Sequence, residues 1–263
     1  MMRSLWTAAS GMTAQQFNVD VISNNLANVN TTGYKKTRTE FEDLLYETLK
    51  LAGTPASVGS QIPTGIQVGH GVKPSSTKGL FTQGDFMQTD DPLNILIEGE
   101  GFFQVELPDG TIGYTRDGSF EIDSTGQMVT SQGYRLIDSE IVIPEDTLDI
   151  MINAEGVVNV RIAGQTALQE VGQINLANFI NPSGLLKVGE NVFKETAASG
   201  APIVGAPGEN DNGVLRQGFL ELSNVKVVEE MVNLITAQRA YESNSKTIQA
   251  ADNMLATAVN LRR

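Results

Sequence analysis

The chain of 263 residues contains no cysteine. Disulfides and thiolate metal sites are therefore excluded, although an oxidising compartment is not. Its one histidine, His70, lies between Gly69 and Gly71 with no nucleophile signal nearby, so it offers no footing for a Ser-His-Asp triad. Aromatic residues make up 6% and there is a single tryptophan, so the expected core is aliphatic. No stretch approaches ~18 consecutive apolar residues, and no membrane insertion is expected. Arg3 is followed by no apolar run, so no cleaved secretory signal is expected either. Positive charge is scarce: 18 basic residues face 31 acidic ones, for a net charge of −13. That balance argues against a nucleic-acid partner, which demands a basic footprint.

The deficit is local. Residues 51–215 hold 7 basic and 21 acidic residues, while 1–50 hold 5 of each and 216–263 hold 6 and 5. An acidic middle stays soluble, and near-neutral ends can pack on copies of themselves with little repulsion. Motifs for chemistry are equally thin. Gly99-Glu100-Gly101 begins like a dinucleotide fingerprint, but a strand pattern follows where a helix is needed. Glu209-Asn210-Asp211-Asn212-Gly213 has calcium-loop composition, but Gly208 holds the first ligand position. The pairs Asp90-Asp91 and Glu98/Glu100 read as solvated loop charges. No enzyme activity, cofactor or metal is expected.

What the chain does have is two long helical patterns at its ends. Leu5, Met12, Val19 and Leu26 recur every seven residues, with Ala8, Gln15, Ile22 and Val29 on a second line. This is the spacing of a coiled-coil seam. Asn24, Asn25, Asn28, Asn30, Thr31 and Thr32 then weaken the helix, and Gly33 is the expected stop. From Val225 to Leu261 there is neither proline nor glycine. Val227, Leu234, Tyr241, Ile248 and Leu255 form one seven-residue line. Met231 and Val259 lie on a companion line interrupted by Gln238, Ser245 and Asp252, which are candidates for polar register-setting positions.

Between the ends, Phe41, Leu44, Leu45 and Leu49 predict a short helix within 35–50. Residues 52–79 are dense in breakers, among them Pro55, Pro63, Gly65 and Gly69, and predict a loop or short extended pieces. Residues 80–200 read as strands separated by turns at Pro108-Asp109-Gly110, Asp117-Gly118, Asp123-Ser124-Thr125-Gly126 and Gln132-Gly133. The predicted fold is α+β: long N- and C-terminal coiled-coil helices (1–35 and 223–263) flank an inserted, mainly antiparallel β domain (80–200). Connectors at 36–79 and 201–222 join them.

Leu5-Trp6-Thr7-Ala8-Ala9-Ser10-Gly11-Met12 and Ser23-Asn24-Asn25-Leu26-Ala27-Asn28-Val29-Asn30-Thr31-Thr32-Gly33-Tyr34-Lys35 resemble the N-terminal signature of bacterial flagellar rod and hook proteins. Asn28, Asn30, Gly33 and Tyr34 are its turn. Glu229-Glu230-Met231-Val232-Asn233-Leu234-Ile235 and Gln238-Arg239-Ala240-Tyr241-Glu242-Ser243-Asn244-Ser245-Lys246 resemble the C-terminal signature. Pro63-Thr64-Gly65-Ile66-Gln67-Val68-Gly69-His70-Gly71-Val72 and Tyr114-Thr115-Arg116-Asp117-Gly118-Ser119-Phe120 resemble the distal rod branch.

The resemblance implies a structural subunit of a rod crossing the periplasm, its helices packed on copies of itself and its β domain outward. It further implies export by the type III export apparatus. The neighbours would be proximal rod proteins, hook protein and the P- and L-ring proteins, and the 52–72 segment would be a rod-stiffening insertion. Two alternatives remain: a hook or proximal rod subunit, or a soluble β binding module on a private helical stalk.

Overall fold

A computed structural model describes all residues except Met1, 53–54, 58–59, 62, 138–140, 145, 165–166, 210 and 261–263. Gly53 and Gly59 of the breaker-rich stretch, and Leu261 at the end of the terminal run, lie outside the described residues. The fold is α+β, with two long helices and many strands, and every strand register resolved between neighbours is antiparallel. The chain divides into two compact units. One comprises Met1–Leu26, Thr37–Lys78 and Lys226–Arg263; the other comprises Ala27–Lys36 and Gly79–Val225.

In the first unit, α1 spans Met2–Ala27 and α2 spans Val227–Asn260. The 26 and 34 residues give lengths of about 39 and 51 Å. α1 runs through Asn24 and Asn25 and ends at Ala27, well before Gly33, so Gly33 is not the helix stop. The backbone then turns, Thr31 N–H donating to the Asn28 carbonyl and Tyr34 N–H to the Thr31 carbonyl at 3.3 Å, while Thr31 Oγ1 donates to Asn28 Oδ1 at 3.2 Å. At the other end, Glu229 and Glu230 occupy the first turn of α2, where the helix dipole favours acidic groups.

The short helix predicted within 35–50 is absent. Thr37–Asp43 and Tyr46–Lys50 are strands, and they pair with Val72–Gly79 and Ile66–Gly69. Pro55–Ser57 pairs with Ser60–Gln61 further along the same long hairpin. The helical reading rested on Phe41, Leu44, Leu45 and Leu49, but Phe41, Leu45 and Leu49 are exposed and only Leu44 is half-buried, so they form no buried face. Thr37, Thr39 and Phe41 alternate with charged residues instead, which suits a ribbon.

The second unit is the β domain. Its largest sheet has seven strands in the order Phe120–Ile122, Met128–Thr130, Arg135–Leu136, Phe103–Glu106, Ile112–Thr115, Val192–Lys194 and Leu186–Gly189. Hairpins form at Pro108-Asp109-Gly110, Asp123-Ser124-Thr125-Gly126 and Gln132-Gly133. Asp117-Gly118 makes no hairpin, because the strands beside it pair elsewhere. Gly118 is needed for close approach: a Cβ there would lie 1.7 Å from the Ile95 carbonyl oxygen. Thr147–Ile152, Val157–Ile162 and Gln169–Gln173 form a separate sheet. Val214–Gln217 returns along Ile95–Glu98, and Phe219–Glu221 along Phe86–Gln88.

The core is not purely aliphatic. Phe103 and Phe120 meet edge to face at 5.1 Å within an Ile/Val cluster. A second cluster gathers Phe81, Phe102, Tyr114, Phe179 and Phe193, with ring centroids 4.8–5.9 Å apart. The few aromatics are concentrated rather than dispersed, and such pairs add about 0.5–1.5 kcal/mol beyond their area.

Candidate functional site

In the first unit α1 and α2 pack antiparallel. Asn25 Nδ2 donates to Glu230 Oε2 at 3.3 Å near one end. At the other, Gly11 faces Asn244 so closely that an added Cβ would lie 2.8 Å from Asn244 Nδ2. Most residues buried on the two helices are small or polar: Ala8, Ala14 and Asn25 on α1, and Glu230, Ala237 and Ala251 on α2, with Ile22 the one large aliphatic among the described residues. Asn25 also grips the ribbon. Its amide donates to the Thr37 carbonyl at 2.8 Å and accepts from the Thr37 N–H at 2.9 Å.

The predicted packing residues are distributed around this seam. Ile22 is buried and Leu5, Met12, Val19 and Leu26 are half-buried on α1, while Val29, half-buried, lies past the helix in the second unit. On α2, Leu234, Ile248 and Leu255 are half-buried, and Val227, Met231 and Tyr241 are exposed. Val19 and Tyr241 line one groove together with Gln16, Gln238 and Glu242.

The line buried within one subunit runs through Glu230, Ala237, Asn244 and Ala251, one position before Met231, Gln238, Ser245 and Asp252. Gln238 and Asp252 are exposed within the subunit. Hydrophobic periodicity does not pick out the buried line, because its members are Glu, Ala and Asn rather than large apolar residues.

In the ribbon, Pro55 opens a strand and Pro63 is exposed. Gly65 and Gly69 permit close strand approach: a Cβ at Gly65 would lie 2.5 Å from the Lys50 carbonyl oxygen, and one at Gly69 would lie 3.2 Å from the Tyr46 ring. The start of α1 is tied to the ribbon strand Tyr46–Lys50 by the Arg3–Glu47 ion pair at 2.6 Å.

In the second unit, the turn after α1 leads into a buried ion cluster. Gly33 has φ +65°, and a Cβ there would lie 2.6 Å from the Asp117 nitrogen. Tyr34 receives Lys187 Nζ over its ring, 4.9 Å from the centroid, while Asn28 is half-buried and Asn30 exposed. Lys35 Nζ lies 2.6 Å from Glu221 Oε1 and also donates to the Thr82 carbonyl at 2.9 Å. Gly84 N–H donates to the same Oε1 at 2.8 Å. Arg116 Nη1 stands 3.5 Å from Glu221 Oε2, its Nη2 donates to the Gly99 carbonyl at 2.7 Å, and its guanidinium covers Phe102.

All three charged side chains are 1–2% exposed. Burial, and then the charge of Arg116, push the Lys35 ammonium down to about 8 against the pull of Glu221. Burial likewise lowers Arg116. Sequence reasoning placed Lys35 in a motif but assigned it no role. Its carboxylate partner lies 186 residues away, and no local pattern announces such a pair.

Among the described residues no cluster of three His, Asp or Glu could hold a metal ion, and no helix is long and apolar enough to cross a membrane. Paired terminal helices and an inserted β domain define a class, that of the flagellar axial proteins. Three family descriptions match it: Flagella basal body rod protein over 5–35, Flagellar hook protein FlgE/F/G D1 domain over 96–160, and Flagellar basal body rod FlgEFG protein C-terminal over 216–261.

Over its full length the chain is 56% identical to flagellar basal-body rod protein FlgG of Borreliella burgdorferi, covering 100% of both. It is 52% identical to the FlgG of Caulobacter vibrioides over 99% of this chain and 100% of that one. It is 38% identical to the FlgG of Bacillus subtilis over 100% of both. The chain belongs to the FlgG family of flagellar basal-body rod proteins. It is a structural subunit of that rod.

Proposed function

We propose that the chain forms the distal rod, polymerising helically with copies of itself into a rigid hollow drive shaft that carries torque to the hook. In this reading the terminal helices build the inner core as coiled coils between copies, and the acidic β domain faces outward. The observation that carries it is an apolar stripe on α2 that remains after α2 has packed on α1. Val228, Val232 and Ile235 recur at i, i+4 and i+7 and are 75%, 54% and 46% exposed. A helix that keeps such a stripe in water keeps it for another chain. A head-to-tail contact that does not close then yields a filament.

The ribbon containing Pro55, Pro63, Gly65 and Gly69 stiffens the shaft: its exposed Leu45, Leu49 and Leu51 offer further apolar surface to neighbouring copies. Proximal rod proteins, hook protein and the P- and L-ring proteins are the other neighbours. The subunit reaches the periplasmic rod through the type III export apparatus and has no catalytic task.

Val228→Glu combined with Ile235→Glu tests this. Both positions are exposed, so the monomer's thermal melt should stay within about 1 kcal/mol of the parent. Polymers should vanish from electron micrographs, and cells carrying the variant should build no distal rod. Polymers of normal length from the doubly substituted protein would refute the reading.

A further inference from the structure

Three stretches far apart in sequence are bound side by side in the second unit: Gly33 to Lys36, Leu80 to Gly84, and Glu221 to Asn224. Gly33 N–H donates to the Glu221 carbonyl at 2.9 Å, and Leu80 N–H donates to the Lys36 carbonyl at 2.9 Å. Asn224 sits between its neighbours. Its Oδ1 accepts from Lys36 N–H at 2.7 Å, and its Nδ2 donates to the Leu80 carbonyl at 2.8 Å and to the Thr82 hydroxyl at 3.0 Å. Beneath this layer lies the ion cluster, in which Glu221 Oε1 takes Lys35 Nζ from the first stretch and Gly84 N–H from the second.

These stretches border the chain divisions at 36/37, 78/79 and 225/226, three of the four covalent links by which this unit joins the rest of the protein. We infer that Lys35, Glu221, Arg116 and Asn224 form a clasp that fastens these three links into one mechanical joint, so that a pull on any of them is shared by all. The inference rests on the torque-carrying reading above and adds the point at which the β domain takes the load. Its physical basis is cooperativity. Glu221 and Asn224 each bind both other stretches, so neither stretch can be released while the other keeps its partners. Parting Lys35 from Glu221 also leaves the Lys35 ammonium without its counterion in a dry site, which a peeling strand on its own would not do.

Hydrogen exchange of the purified full chain tests the clasp without any need for assembly. Asn224→Ala should lower protection by about a hundredfold in all three stretches together, leaving Phe103–Glu106 unchanged. Arg161→Ala, which removes an exposed ion pair with Asp149, should change none of them. Should Asn224→Ala not fold, Lys35→Met removes the tie of the first stretch while Glu221 keeps Arg116 and Gly84 N–H as partners. Independent opening of the three stretches is then the expected result.

Loss of protection confined to the substituted stretch would overturn the clasp. Cells carrying Asn224→Ala should assemble rods of normal length yet stop swimming in viscous medium. Rods of normal length with unimpaired swimming under that load would overturn the mechanical role while leaving the rod reading intact.

Discussion

Asn25 and Glu230 meet in the seam of the helix pair, Nδ2 to Oε2 at 3.3 Å, with both side chains buried and 205 residues between them in sequence. The same amide closes both backbone hydrogen bonds of Thr37. One side chain thus joins α1, α2 and the first ribbon strand.

Replacing Asn25 by alanine removes three hydrogen bonds at a buried point. The expected loss is about 2–4 kcal/mol, read as a lower urea midpoint in far-UV circular dichroism. Asn25→Asp should be no milder, because it sets a second carboxylate against Glu230 and removes the donor to Thr37. An Asn25→Ala midpoint within experimental error of the parent would show that the seam does not depend on this contact.

Glycine positions separate strain from crowding. Gly33 and Gly133 both have positive φ, +65° and +84°. Nothing lies within 4 Å of a Cβ at Gly133, whereas at Gly33 the backbone of Arg116 and Asp117 lies 2.6–2.9 Å away. Gly133→Ala should therefore cost about 1 kcal/mol from the backbone alone. Gly33→Ala should cost about 3 kcal/mol, since the chain must also move aside from the ion cluster. Equal costs in denaturant titrations would mean that the turn shifts freely, and that Gly33 is required only for its φ.

The pH dependence of Lys35 has a definite sign. Its folded value of about 8 lies below the ordinary 10.5, so between those values the unfolded chain binds more protons. The cost of burying the cation is complete below pH 8 and is relieved as pH rises toward 10.5. Relative to Lys35→Met, the parent should gain on the order of 3 kcal/mol across that window. Urea titrations of both proteins from pH 7 to 10 check this. A difference that is flat with pH would place the Lys35 proton affinity at its ordinary value, and one that falls would place it above.

The helices were legible because long runs without proline or glycine leave few alternatives, and the hairpin turns because their glycines need positive φ. The ribbon was not legible. Leu45 and Leu49 carry a helical spacing that in this chain marks exposed surface rather than a local core. The line of α2 buried within one subunit was not legible, because Glu230, Ala237, Asn244 and Ala251 are not large apolar residues. Lys35 read as an ordinary motif lysine because its burial is created by Glu221 and Arg116, which only the folded β domain brings to it.

Trp6 offers the most direct view of assembly. It is the only tryptophan and is 73% exposed on α1. Dilute subunit should emit like an indole in water and be readily quenched by acrylamide. If copies cover the outer face of α1, polymerisation should shift the emission to the blue and protect it from quencher. Covering most of an indole is worth on the order of 2 kcal/mol, so Trp6→Ser should raise the critical concentration roughly thirtyfold without lowering the monomer's melting temperature. Polymers whose tryptophan stays red and quenchable would mean that α1 keeps this face in solvent. The contacts between copies would then have to be carried by the α2 stripe and the ribbon, and Trp6→Ser would leave the critical concentration where it was.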